Sequence, residues 1–401
     1  MSLSAGDMTS PSEIGLGEVS SSLDTLWRTA RQHDREQRLR GEIMKATEML
    51  HNLGQSIWLD NITRELLDTG TLKRYIDDLS VTGLTSNPTI FDHAITHSRS
   101  YDSEIRRLVG AGLSGEALFF ELAVEDLTRA ADLFAPIHER TGSVDGWVSL
   151  EVSPLLVYDA TATVNEAKAL HKKANRRNLS IKIPGTREGG PAIEEAIFSG
   201  VPVNVTLLFT RDHYLTAAEA YMRGLERRVE AGLSPDVRSV ASLFISRWDK
   251  ATMDKVPERD RYKLGVAIGQ QAYAAYRGVL DSDRWQWLAN CGARAQRLLF
   301  ASTGTKDLKA SDVLYIGALA APNSVNTMPE ETLLAFSEHG RVGGVIAPGG
   351  ADSEQMLAEY GRVGIDVATL GADLQTEGAK SFDNSWRDLL KAIEAKSKTL
   401  K

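Results

Sequence analysis

What the 401-residue sequence has little of already narrows its class. It holds one cysteine, Cys291, which rules out an internal disulfide framework and a cysteine-rich zinc site and suits a reducing compartment. No uninterrupted apolar run approaches the roughly 20 residues that a membrane-spanning helix needs. The opening stretch, MSLSAGDMTSPSEIGLGEVSSS, has no basic segment followed by an apolar one, so no secretory signal is expected. Basic residues are in deficit, with 46 Lys and Arg against 54 Asp and Glu, a formal charge of −8. That balance argues against a general nucleic-acid binder, whose binding face is normally basic, but leaves room for phosphorylated ligands held by a few local cations. The expectation is a soluble, cytoplasmic protein with neither nucleic acid nor membrane as a partner.

What is present is a hydrophobic content of 42% and a repeating order of elements. Residues 1–22, rich in Ser, Gly and Thr, read as a flexible segment. Residues 23–55 carry a helical spacing of apolar residues and read as an N-terminal helical extension. From 56 to 330 short strand-like runs alternate with longer helical stretches. The runs are SIWLD (56–60), VTGLTSN (81–87), WVSLEV (147–152), LSIKIP (179–184), VPVNVTLLF (201–209), VRSVASLFIS (237–246), QRLLFAS (296–302) and SVNTM (324–328). Helices are expected over 61–79, 115–135, 161–177, 189–199, 211–231 and 257–280. Eight strand–helix units point to an α/β protein closed as a (β/α)8 barrel. Residues 331–401 read as further helices packed on that barrel, and Trp248, Trp285, Trp287 and Trp386 read as core or helix-packing residues.

Within LSIKIP, Lys182 stands between Ile181 and Ile183 in what otherwise reads as buried strand. A lone lysine there is commonly an edge-strand device with its ammonium in water. The neighbouring strands argue otherwise, because side chains of one parity share one face. Ile57 and Leu59 lie opposite Asp60; Val148, Leu150 and Val152 lie opposite Glu151; Val201, Val203 and Val205 lie opposite Asn204 and Thr206. Each strand therefore has an apolar face for the helices and a second face that ends in a polar group. In a barrel the second faces converge on the axis, which brings Lys182, Asp60, Glu151, Asn204 and Thr206 to one cavity.

A desolvated lysine attacks carbonyls and forms a Schiff base. The protonated imine withdraws electrons and stabilises an adjacent carbanion as an enamine, so the neighbouring C–C bond can break or form. Asp60 and Glu151 are of the right type for the acid/base work, and amide and hydroxyl groups suit a polyol. With the imine as electron sink no metal or cofactor is needed, and histidine is sparse at these strand ends. GRVGGVIAPGG (340–350) lacks the GxGxxG spacing, and STGTKD (302–307) lacks the full P-loop pattern. Both read as turns.

GLTSNPTIF (83–91) and IKIPGTREGGPAIEEAI (181–197) resemble the two signature stretches of the transaldolases. The order WLD, TSNP, SLEV, IKIPGT, VNVTLLF, SLFISRWD, FASTGTKD resembles that family from about residue 50 to about 330, with similar C-terminal helices beyond. The resemblance implies transfer of a dihydroxyacetone unit from a ketose phosphate, sedoheptulose 7-phosphate or fructose 6-phosphate, to an aldose phosphate, as in the pentose phosphate pathway. By position it implies Lys182 as the Schiff-base lysine and Asp60 as the acid/base at the donor's C4 hydroxyl. Glu151 and Thr206 match the pair that holds a catalytic water, and Asn87 and Asn204 match the amides that bind the dihydroxyacetone hydroxyls. Ser242 lines the pocket, Arg247 and Ser302 hold the phosphate, and Lys306 stands in for an arginine that some members carry. Related single-step aldolases have a tyrosine where this chain has Phe244, so transfer is expected over free aldol cleavage. The alternatives are a Schiff-base aldolase or transaldolase for another phosphorylated or sulfonated sugar, and a sugar-phosphate-binding barrel without activity. A homodimer is a family expectation.

Overall fold

In the computed structural model, residues 44–305, 307 and 309–400 are described. The expectations for 1–22, for 23–43 and for Lys306 lie outside the described residues. The eight strand readings become eight strands: β1 Ser56–Asp60, β2 Val81–Thr85, β3 Trp147–Glu151, β4 Leu179–Pro184, β5 Val203–Leu208, β6 Ser239–Phe244, β7 Arg297–Ala301 and β8 Val325–Met328. All neighbours pair in parallel, and β1 closes on β8, giving a (β/α)8 barrel. The alternation has the consequence expected of it. Ile57, Leu59, Val148, Leu150, Ile181, Ile183, Val203 and Val205 are all at most 1% exposed, as the helix-covered face of a barrel requires.

The interior is polar where many barrels are filled with branched aliphatics. Ser149 Oγ and Ser180 Oγ are 3.0 Å apart, Asn204 Nδ2 donates to Ser149 Oγ at 3.0 Å, and Ser242 Oγ donates to Asn204 Oδ1 at 2.7 Å. These bonds satisfy groups that would otherwise be costly to bury. Nearer the N-terminal ends, Trp58 Nε1 donates to Asp145 Oδ1 at 3.0 Å, and the Trp58 ring leaves no room beside β2. A Cβ on Gly83 would stand 2.7 Å from Trp58 Nε1 and 2.7 Å from the Trp147 carbonyl oxygen. Gly83→Ala is therefore expected to lower stability by about 1–3 kcal/mol through overpacking. Urea unfolding checks this: the midpoint should fall at unchanged slope, and an unmoved midpoint would show that the interior can yield.

Several helices differ from the reading. The stretch 61–79 is two helices, Arg64–Asp68 and Thr71–Asp78, parted at Gly70, whose φ of +71° an L-residue rarely adopts. The stretch 257–280 is helical only from Leu264, after a single turn at Glu258–Asp260. Short helices at Pro88–His97, Asp102–Gly110, Ser246–Thr252, Asp283–Asn290 and Leu314–Ala318 have no counterpart in it. Trp248, Trp285 and Trp386 are buried, but Trp287 is 47% exposed and packs no core. Residues 340–350 form no helix or strand.

The helix Ala46–Asn52 lies against β1 and helix Glu330–His339. The last helix, Val367–Thr399, is capped by Asp366, whose carboxylate accepts from the Ala368 and Thr369 amides. It runs across the C-terminal ends of the strands, packing on Pro88–His97. Gln375 Nε2 fastens it there by donating to the carbonyls of Gly185, just past β4, and Leu207 in β5, at 3.1 and 2.9 Å. No helix among the described residues is long and apolar enough to cross a membrane.

Candidate active site

Parallel pairing sets the site. Lys182 on β4 lies opposite Glu151 on β3 and Asn204 on β5, and Pro184 lies opposite Thr206. Lys182 is 5% exposed, so its ammonium is largely out of water. It donates to the Ser86 carbonyl at 3.1 Å, and the ring of Phe382 covers it with the centroid 5.6 Å from Nζ. A cation over an aromatic face recovers part of the lost hydration.

Glu151 is the most perturbed group of the site. Burial pushes its pKa from 4.5 up to about 7, the Lys182 charge pulls it down, and the Asp60 charge adds to the rise. Neither of its carboxylate oxygens has a partner within the protein, and neither does the buried hydroxyl of Thr206. Native proteins rarely leave buried polar atoms so, and where they do a functional ligand is a common reason. Asp60 is half-buried at the end of β1 and accepts from Thr85 Oγ1 at 2.7 Å, and Thr85 in turn meets Thr327 Oγ1 at 2.8 Å. These two threonines fix the carboxylate and follow from the inward parity of β2 and β8.

Lys182, Asp60 and Thr206 open onto a cavity of about 1150 Å3 at the C-terminal ends of the strands. Asp60, Asn87, Lys182, Thr206, Ser242, Phe244, Arg247 and Ser302 all line it. Glu151 and Asn204 do not: Glu151 lies behind the wall beside Lys182, and the Asn204 amide is engaged by Ser149 and Ser242. Asn87 is an N-cap, its Oδ1 accepting from the Ile90 amide at 3.2 Å, with Pro88 at the first helical position. That accounts locally for the order Ser-Asn-Pro and leaves the Asn87 amide nitrogen for a ligand.

Arg247 breaks the parity of β6 because the strand ends at Phe244 and Ser246 begins a helix. Its guanidinium lies over the Phe244 ring, 5.2 Å from the centroid. Burial lowers its pKa, and the Glu377 charge opposes that. Ser302 Oγ is 2.9 Å from Ser246 Oγ, with the Ser302 backbone left-handed at φ +55°. Leu207 is also left-handed, φ +60°, where the β5–β6 register shifts between Val205 and Leu208. Such conformations cost energy in L-residues and gather at functional sites. Lys306 lies outside the described residues.

Phe382 and Thr327 are site residues that sequence reasoning did not single out. Thr327 follows the parity already used for the other strands. Phe382 lies 200 residues from Lys182 on a helix read only as packing, and no spacing in the chain connects the two. Among the described residues no group of three or more His, Cys, Asp or Glu is placed to hold a metal ion.

The family model for transaldolase/fructose-6-phosphate aldolase matches residues 57–393, reaching into the last helix. The chain is 43% identical over 350 residues to a transaldolase of Frankia alni, covering 85% of this chain and 94% of the relative. It is 41% identical over 350 residues to a transaldolase of Mycolicibacterium smegmatis, with the same coverage. To transaldolase 2 of a Nostoc species it is 37% identical over 366 residues, 86% of this chain and 96% of the relative.

Proposed function

Since the chain belongs to the transaldolase/fructose-6-phosphate aldolase family, we propose that it is a transaldolase, a transferase of the pentose phosphate pathway that moves a dihydroxyacetone unit between sugar phosphates through a Schiff base on Lys182. The observation that carries the reading is a shielded lysine paired across adjacent strands with a carboxyl group whose oxygens no protein atom engages.

The chemistry follows from the residues. Lys182 Nζ adds to the C2 carbonyl of a ketose phosphate. Glu151, with a pKa near the working pH, passes to the carbinolamine oxygen, through a water held with Thr206, the proton it needs to leave as water. Asp60, held by Thr85, takes the proton of the C4 hydroxyl. The C3–C4 bond breaks, the aldose phosphate departs, and the electron pair passes into the imine as an enamine. A second aldehyde phosphate accepts that carbon nucleophile, and Asp60 returns its proton to the new alkoxide. Hydrolysis of the imine then frees the product ketose and the lysine.

Arg247 suits the substrate phosphate, since a guanidinium binds such an anion through two hydrogen bonds, and Ser246 and Ser302 add hydroxyls beside it. Phe244 supports transfer over aldol cleavage, because a phenyl ring has no proton to relay to the enamine. We assign the enzyme to the cytoplasm, where charged sugar phosphates are retained, and take it as a homodimer, which sedimentation would check.

The test is borohydride reduction in the presence of fructose 6-phosphate, followed by peptide mass spectrometry. A reduced dihydroxyacetone adduct on the peptide containing Lys182 is expected. An unmodified Lys182 with this donor and with sedoheptulose 7-phosphate would remove the Schiff base from the reading.

A further inference from the structure

We infer that Phe382 is a specificity-determining residue: its ring shields the covalent intermediate from water, so that the enamine waits for an acceptor aldehyde instead of being released as free dihydroxyacetone. The inference rests on the Schiff-base reading above and concerns a residue that the barrel strands do not supply.

The last helix is held against the site by contacts that leave it little play. Gln375 bonds the carbonyls of Gly185 and Leu207, at the ends of the strands that carry Lys182 and Thr206. Three residues on, a Cβ at Gly378 would stand 3.0 Å from Leu207 Cδ2 and 3.3 Å from Arg247 Nη1. Further along, Ser385 Oγ accepts from Thr89 at 3.0 Å, and Trp386 Nε1 donates to Glu116 at 2.7 Å. Between these anchors Phe382 faces the cavity. Its ring lies over Lys182 Nζ and meets the Phe244 ring edge-on, centroids 6.4 Å apart. Lys182 therefore has Glu151 beside it in register, the Ser86 carbonyl as its hydrogen-bond partner, and an aromatic face towards the cavity.

The enamine has two fates. It can add to an aldehyde, or it can take a proton on carbon from water, which leaves as hydroxide, and become the iminium of dihydroxyacetone. Water then adds at C2, the C–N bond breaks, the oxygen stays as the ketone, and both hydrogens of that water finish on nitrogen as the lysine ammonium. Hydrolysis of an iminium ends both routes, so the step peculiar to release is the protonation on carbon. That step needs water at the face that Phe382 occupies, and excluding water from a reactive intermediate is a recognised task of an active-site wall. Phe244 lacks a proton to give; Phe382 keeps out the water that has one.

The experiment supplies fructose 6-phosphate to the full chain, with and without erythrose 4-phosphate, for wild type, Phe382→Leu and Phe382→Ala. Free dihydroxyacetone is compared with transfer product, and borohydride trapping is run on each protein. The ratio of release to transfer is expected to rise about tenfold or more in Phe382→Ala and less in Phe382→Leu, with the Lys182 adduct formed in all three. A merely structural role would lower both rates together; an unchanged ratio in the variant that folds, with the adduct present, overturns the inference and leaves the Schiff base standing. No adduct in the wild type would bring down both.

Discussion

Lys182→Met is expected to abolish transfer, lowering the rate by about 10^4-fold or more, while the protein remains folded. The size follows from losing the covalent route altogether: removing the nucleophile from a group that works as a unit costs nearly everything the unit contributes. Methionine is the informative replacement because it fills the same long slot between Glu151, Ser86 and the Phe382 ring without a charge. The fold loses the Ser86 carbonyl bond and the contact of the ammonium with the Phe382 ring, together about 2–3 kcal/mol. Loss of the ammonium also removes the one charge that pulls the Glu151 pKa down, so Glu151 should rise above about 7 in this variant and be protonated at neutral pH. Coupled assays in the presence of both sugars, with circular dichroism for the fold, read the result. Retention of more than about 1% of the rate would mean that another group forms the imine.

The position of Lys182 was legible because a barrel imposes two constraints at once. Alternation in four strands separates residues that meet helices from residues that meet the axis, and parallel register then puts the strand ends level. Asp60, Lys182 and Thr206 come to one cavity for that reason, with Glu151 directly behind its wall. Alternation says which face a side chain takes but not what it meets there. Asn204 has the predicted parity, yet Ser149 and Ser242 engage its amide, and it does not line the cavity. Thr206 keeps its place although the register shifts immediately after it at Leu207, a change that the run VNVTLL does not signal.

What stayed hidden came from tertiary packing. The last helix is amphipathic and would be read as surface packing in any chain. Its role at the site depends on Gln375, Gly378 and Phe382 meeting strand ends nearly 200 residues earlier. Arg247 shows the intermediate case. Its break in parity announced that β6 had ended, and the turn into the helix Ser246–Thr252 is what aims its guanidinium over Phe244.

Glu151→Gln should separate catalysis from stability, because the same burial that tunes the carboxyl group makes it costly to ionise. Its activity is expected to fall by about 10^2–10^4-fold, the usual worth of a positioned acid/base. In the wild type kcat/KM should decline as the pH rises above about 7, where Glu151 loses the proton that it gives to the carbinolamine oxygen. That inflection should be missing from the variant. Wild-type stability should decline in the same direction. The folded pKa of about 7 lies above the ordinary 4.5, so the folded state holds a proton that the unfolded state has released between those values. The contribution of this group is therefore intact below about pH 4.5 and is lost as the pH rises towards 7. At pH 8 the ionised carboxylate costs roughly 3 kcal/mol, as an order of magnitude, relative to a neutral group of the same shape. Glutamine is such a group, so the variant should match the wild type in denaturant near pH 4.5 and exceed it at pH 8. A variant less stable than wild type at pH 8 would show that ionised Glu151 is held by its attraction to Lys182 more firmly than burial opposes it. The pH at which the two unfolding curves part would then report the true balance between those two forces.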